Sequence, residues 1–305
     1  MSDRTAAGAP VDEAGTQLLD PAFLRRLEGL TLRAPRRHVG QLTGAERSPR
    51  RGAGLEFADH RAYVAGDDLR HLDWPLLGRL GRPFIKTYEQ EQDLPVHLLL
   101  DTSRSMAFGE PGKWLAAARL AAALAHVALS SHDRVGVGLF DGGGLRPHAP
   151  ARGQGALFPL LRFLQKAHPG GDAGGTRALR LHATAARPGL TLILSDFLDR
   201  DFESLLRPYL HRRHSLVLIQ LLAPQELDPT LEGDLELHDT ESGERLEVTL
   251  GASELAAYRR RLTAHREALR QFALRYGAEC YSFSTALELE AMVEALLAGA
   301  FLGRQ

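Results

Sequence analysis

Apolar residues in this chain fall into two alternating kinds of run. Short and almost unbroken stretches occur in PVHLLLD (95–101), RVGVGLF (134–140), LTLILS (190–195) and SLVLIQLL (215–222). They have strand length and no polar face, which predicts strands covered on both sides, as in a parallel sheet. Cys280 to Phe283 predicts a last strand. Longer segments at helical spacing lie between them. KWLAAARLAAALAHVALS (113–130) is apolar nearly all round, which predicts a deeply buried helix. Further helices are predicted over 157–167, 177–186, 202–210 and 287–302, and a long one opens at Ser253 and stops at Gly277. Strands alternating with helices predict an α/β fold, Rossmann-like, with a mostly parallel central sheet and helices on both faces.

The flanking pattern divides the chain further. Residues 1–17 are small, polar and rich in Gly, Pro and Ala, which predicts a disordered tail. Asp20-Pro21 reads as a helix cap followed by proline at the first helical position. Residues 18–92 form an N-terminal segment expected to pack on the core, and 93–305 form the α/β domain. Alternation in LELHD and RLEVT around Glu241-Ser242-Gly243 adds a β-hairpin at about 234–249. Within the N-terminal segment, Phe84 to Tyr88 reads as a strand. Gly66-Asp67-Asp68 reads as a turn in which either aspartate can cap the next turn of the chain.

Composition narrows the class. The 305 residues are 44% hydrophobic and 25% charged, with a formal net charge of −1. No global field draws such a chain to nucleic acid or to an anionic membrane. The one cysteine, Cys280, excludes an intramolecular disulfide and fits a reducing compartment. An apolar run of about 18 residues, enough to span a bilayer, is absent, and the N-terminus lacks the apolar core of a signal peptide. A cytoplasmic location is expected.

The candidate chemistry lies at strand ends. The first core strand stops at Asp101, and Ser103 and Ser105 follow at alternate positions. A glycine-rich loop, PGGDAGGT, ends at Thr176, and the strand LTLILS runs into Asp196. In such a topology all of these reach one carboxyl edge of the sheet, where open α/β sheets bind ligands. Carboxylate and hydroxyl oxygens suit Mg2+, or another hard dication such as Mn2+ or Ca2+, better than zinc. Two carboxylates nearly neutralise a dication, so the site can accept a further carboxylate from a partner.

At these residues the chain resembles a known family. Asp101-x-Ser103-x-Ser105, then Thr176, then Asp196 is similar to the metal-ion-dependent adhesion site of von Willebrand factor A-type domains. Upstream, G-x-E-F-x-D-x-R-x-Y-x-x-G-D-D-x-R-x-x-D-W, Gly54 to Trp74, resembles a bacterial family catalogued as domain of unknown function 58. The resemblance covers Leu30 to Phe283. It implies a Rossmann-like A-type domain with Mg2+ bound by those five side chains. It also implies a MoxR-type AAA+ ATPase as partner, in chaperone-like assembly or maturation of client proteins. Arg104 inside the motif adds positive charge at the rim. Asp67, Asp68, Arg70, Asp73 and Trp74 are further candidates for partner contact.

The expected function is therefore a non-enzymatic, metal-dependent protein-interaction module. An aspartate at a strand end also suits metal-assisted phosphoryl chemistry, so a Mg2+-dependent hydrolase or phosphatase is the alternative. Against it, Ser103 stands where a second carboxylate is expected. The chain has no Gly-x-Ser-x-Gly elbow, no phosphate loop and no dinucleotide fingerprint. A nucleic-acid arm at Arg33 to Arg51 is opposed by the near-zero net charge.

Overall fold

The computed structural model describes residues 18–33, 55–64, 69–90, 94–172, 174–199, 201–230, 233–238 and 245–304. The predicted tail, most of the basic run, Asp67, Asp68 and the turn at 241–243 lie outside them. The chain divides into two compact units, one of residues 1–42 and 94–305, the other Thr43–Asp93.

In chain order the larger unit begins with α1 (Pro21–Leu27) and β1 (Leu30–Leu32). Asp20 caps α1 as predicted, its Oδ1 accepting from the Ala22 amide at 2.9 Å. The smaller unit holds β2 (Leu55–Ala62), α2 (Trp74–Leu80) and β3 (Phe84–Gln90), with β2 and β3 paired antiparallel. The larger unit resumes with β4 (Pro95–Asp101), α3 (Lys113–Ser130), β5 (Arg134–Asp141), β6 (Gly144–Ala151), α4 (Leu157–Gln165), α5 (Thr176–Ala185) and β7 (Leu190–Ser195). It continues through α6 (Phe202–His211), β8 (Ser215–Leu222), the short α7 (Pro224–Leu227) and the hairpin β9 (Gly233–His238) and β10 (Arg245–Leu250). Last come α8 (Ala252–Tyr276), β11 (Glu279–Ser284), α9 (Leu289–Leu297) and β12 (Leu302–Arg304).

The central sheet has strand order β11-β8-β7-β4-β5-β6. All of its pairings are parallel except β5 with β6. From β4 the chain first builds outward through β5 and β6, then returns to place β7 on the other flank of β4. The order therefore reverses between β4 and β7, and the crevice beyond their carboxyl ends is where this topology leaves room for a ligand.

Side-chain alternation explains why the strands read as unbroken apolar runs. Val96, Leu98 and Leu100 enter the core shared with α1, α3, α4 and α9, whereas Leu99 enters a second core with α5, α6 and α8. Each fully buried leucine stabilises the fold by about 1.5–3 kcal/mol relative to exposure. Alanines at 117, 121 and 125 keep α3 narrow enough to lie deep in the first core. Gly189 immediately precedes β7, where a Cβ would lie 2.1 Å from the Pro95 carbonyl oxygen, so only glycine admits this approach of β7 to β4.

In the larger unit the structure departs from the sequence reading at an edge strand and at the last helix. The antiparallel edge strand β6 was not foreseen, because Pro147 and Pro150 interrupt it and its positions are mostly half-buried or exposed. The last helix is shorter than 287–302. The chain leaves α9 at Leu297, and β12 pairs antiparallel with β1, burying Phe301 and Leu302. Apolar residues that continue a helical pattern locally are taken instead by pairing across the whole chain. This pairing joins residues 18–33 to the larger unit.

A polar cluster lies toward the amino end of the sheet. His97 of β4, His182 of α5 and His214 before β8 pack together, with His97 ring centroids 5.0 Å from His182 and 5.6 Å from His214. The Thr191 hydroxyl lies 2.8 Å from His214 Nδ1, the Tyr209 hydroxyl 3.0 Å from His182 Nδ1, and the Arg187 carbonyl 2.9 Å from His97 Nε2. Burial pushes all three imidazoles below the ordinary 6.5, His214 to about 4 and His182 to about 3. Unfolding frees them to protonate. Their contribution is therefore intact above pH 6.5 and is lost as the pH falls toward 4. Urea midpoints are expected to drop between pH 7.5 and 5, and less steeply in His214→Asn; equal slopes would exclude the cluster as the cause.

Candidate functional site

Asp101 is the last residue of β4 and is buried. Its Oδ1 accepts from the Ser103 amide at 2.8 Å, which turns the chain out of the strand. Its Oδ2 accepts from the Ser195 hydroxyl at 2.6 Å, and Ser195 ends β7. Ser103 and Ser105 follow in a tight 3-10 turn, with their hydroxyl oxygens 3.1 Å apart. The glycine-rich loop is laid against this turn. The amides of Gly170 and Gly171 donate to the Thr102 carbonyl at 3.0 Å, and the Arg104 amide donates to the Gly171 carbonyl at 2.9 Å. The same loop delivers Thr176 as the first residue of α5.

Asp196 follows β7 directly and is 4% exposed. Its backbone carbonyl accepts from Gln220 Nε2 at 2.8 Å, and its Oδ1 from the Leu198 amide at 3.3 Å. Its Oδ2 accepts from Lys113 Nζ at 2.7 Å. Lys113, the first residue of α3, has no exposed surface and also donates to Glu226 Oε1 at 2.6 Å. Glu226 Oε2 in turn accepts from the Ala223 amide at 2.7 Å.

The electrostatics point to a missing positive charge. Burial raises the Asp101 carboxyl above its ordinary range, and the neighbouring Asp196 raises it further, against the bonds from Ser195 and Ser103. Burial likewise raises Glu226, opposed by Lys113. With every group ionised, three carboxylates face one ammonium, leaving two uncompensated negative charges. The donors are all oxygens, and hydroxyls and carboxylates keep lone pairs after the bonds described. Such a set fits one hard dication. Among the described residues no group of three or more His, Cys, Asp or Glu side chains gathers as a metal site, so a cation here depends on the serine and threonine hydroxyls.

Asp101, Ser103, Ser105 and Asp196 are thus brought to one sheet edge, and Thr176 ends the loop paired to Ser103. Arg104 is exposed at the rim and pairs with Asp172 at 3.2 Å. Arg70, Asp73 and Trp74 belong to the smaller unit. There Arg70 and Trp74 are exposed, whereas Asp73 is buried, capping α2 through the Leu76 amide and lying 2.8 Å from His60 Nε2.

Sequence reasoning missed Lys113, Glu226 and Ser195. One signal was present: Lys113 opens α3 directly ahead of the wholly apolar run WLAAA. Glu226 resembles an ordinary capping glutamate. Asp141, at the end of β5, was also missed. It accepts from Thr102 Oγ1 at 3.0 Å, lies 3.6 Å from Arg146, and faces Gly171 so closely that a Cβ there would lie 2.3 Å from its carboxylate.

The sequence profile described as "Protein of unknown function DUF58" matches residues 59–268. This chain belongs to the DUF58 family. Uncharacterized proteins of Mycobacterium tuberculosis (Rv1480) and Mycobacterium bovis (Mb1516) are 29% identical to it over 276 residues, covering 87% of this chain and 86% of theirs. Among solved structures, BatB of Bacteroides thetaiotaomicron is 15% identical, with a TM-score of 0.43, over 67% of this chain and 98% of its own. An aerotolerance-related membrane protein of Bacteroides fragilis is 14% identical, with a TM-score of 0.44, over 67% and 97%. The SpRpn10 VWA domain is 11% identical, with a TM-score of 0.38, over 67% and 95%. The chain is thus a DUF58 protein whose larger unit is built on a mostly parallel six-stranded sheet flanked by helices.

Because Asp101 is a buried charge beside a like charge, Asp101→Asn is expected to raise the urea midpoint in EDTA at pH 7, its Oδ1 still accepting from the Ser103 amide and its Nδ2 donating to a reoriented Ser195 hydroxyl. A clear drop in the midpoint would show that the carboxylate charge is compensated within the protein.

Proposed function

We propose that this DUF58 protein is a non-enzymatic interaction module. Its strand-end oxygens hold one divalent cation, Mg2+ or a similar hard ion, and a protein partner supplies an acidic side chain to it. The observation that carries the reading is the pair of buried carboxylates, Asp101 and Asp196, with hydroxyls beside them at the switch point of the sheet and two negative charges in excess.

Asp101, Ser103, Ser105, Thr176 and Asp196 would hold the cation, which when bound supplies a Lewis-acidic position for a carboxylate. The protein's own residues prepare that position. Ser195 and the Ser103 amide fix both oxygens of Asp101. The loop bonded to Thr102 carries Thr176 to the same edge. Exposed Arg104 lies at the rim in a surface ion pair with Asp172, and an acidic partner segment would take the place of that carboxylate on its guanidinium. The partner class implied by the family resemblance is a MoxR-type AAA+ ATPase, with this chain acting as adaptor for client assembly or maturation. No helix among the described residues is long and apolar enough to cross a membrane, and we place the adaptor in the cytoplasm.

A phosphatase also uses aspartate, hydroxyl and lysine at a strand end. Here the ammonium is saturated by two carboxylates and has no exposed surface, so it does not face a phosphate.

The test is capture of partners from the native cell by the immobilised full chain, with mass spectrometry of the retained proteins. A AAA+ ATPase is expected with Mg2+ and absent in EDTA or with Asp101→Ala, whose circular dichroism and gel-filtration profile stay those of the wild type. Capture that survives both treatments would reject the mechanism, and Mg2+-dependent turnover of phosphate esters lost in Asp101→Asn would favour the enzyme.

A further inference from the structure

Resting on the metal reading above, we propose that Lys113 is the built-in counter-ion of the site: its ammonium positions Asp196 and sets the charge of the cluster so that it accepts a single dication. Fully buried lysines are rare unless paired, and this one is 0% exposed between Asp196 at 2.7 Å and Glu226 at 2.6 Å. The Phe108 ring, 5.9 Å from the ammonium, closes over it.

The position of Lys113 in its helix makes a purely local role inadequate. A positive charge at the first residue of α3 opposes the helix dipole, whose N-terminal end is itself positive. The offsetting negative charge is supplied from elsewhere, by the end of β7 and by α7.

Glu226 is the anchor of the arrangement. Its second oxygen is bound by the Ala223 amide, so the carboxylate is held by α7 and in turn holds the ammonium. Asp196 is then engaged through Oδ2, while Oδ1 carries the longer bond from the Leu198 amide, 3.3 Å, and keeps capacity for a cation. Without Lys113 the three acids would repel one another in a buried site. Without Glu226 the ammonium would sit on Asp196 alone and compete with the metal for it.

The two residues therefore predict opposite effects on metal affinity. Lys113→Met, which keeps the shape of the side chain and removes its charge, is expected to tighten Mn2+ binding about tenfold or more. It should also lower the melting temperature in EDTA by more than it does with Mn2+ present. Glu226→Gln is expected to weaken Mn2+ binding about tenfold or more. Both are read from Mn2+ calorimetry and thermal melting of the full chain, with Asp101→Ala as the control for the site.

Equal loss of stability with and without Mn2+, together with unchanged affinity in both variants, would make Lys113 a structural residue only and overturn the proposal. A wild-type chain that binds no Mn2+ would overturn the metal reading, and this proposal with it. If Lys113→Met does not fold in EDTA, folding in Mn2+ supports the proposal, failure in both counts against it, and Glu226→Gln decides by the direction of its shift.

Discussion

The organisation of this protein depends on a cost of desolvation. Asp101 and Asp196 are carried by β4 and β7 to the one place on the sheet where they are both buried and adjacent. A buried carboxylate is unfavourable unless hydrogen bonds and opposite charge compensate it. Much of the surrounding structure supplies that compensation. The Ser103 amide and the Ser195 hydroxyl take the Asp101 oxygens, and Gln220 and Lys113 fix Asp196 through its backbone and side chain. The compensation stops short of neutrality, and the proposed cation would make up this shortfall.

Topology explains why the cluster sits there. β4 is the pivot from which the chain builds the sheet in both directions, so its carboxyl end and that of β7 diverge into different loops. The space between diverging loops is a crevice lined by strand-end residues. The same pivot brings the first residue of α3 and the short helix after β8 to the Asp196 side, which is how Lys113 and Glu226, distant in sequence, meet one aspartate. The network thus ties β7, α3 and α7 together by charge as well as by packing.

Much of this was readable from the chain. The period and length of the apolar runs identified the core strands and the buried helix, because burial on both faces leaves no polar alternation to disguise them. Asp101, Ser103, Ser105, Thr176 and Asp196 could be named as a set because each follows a strand or a glycine-rich loop. β6 escaped because an edge strand with prolines lacks that signature. The end of the chain was read as helix because nothing local reveals its pairing with β1.

What the amino-acid sequence determined by itself was the α/β alternation and the identity of the oxygen donors, since both are written in local periodicity and in residue type at strand ends. What only the tertiary structure decided was the charge environment of those donors. The partner of a buried lysine is chosen by which elements meet in space. Glu226 and Ser195 carry no local mark that separates them from an ordinary capping glutamate or strand serine, and the charge that opens α3 at Lys113 does not by itself name its partners. Their role appears only when the folded chain places them, without solvent, around Asp101 and Asp196.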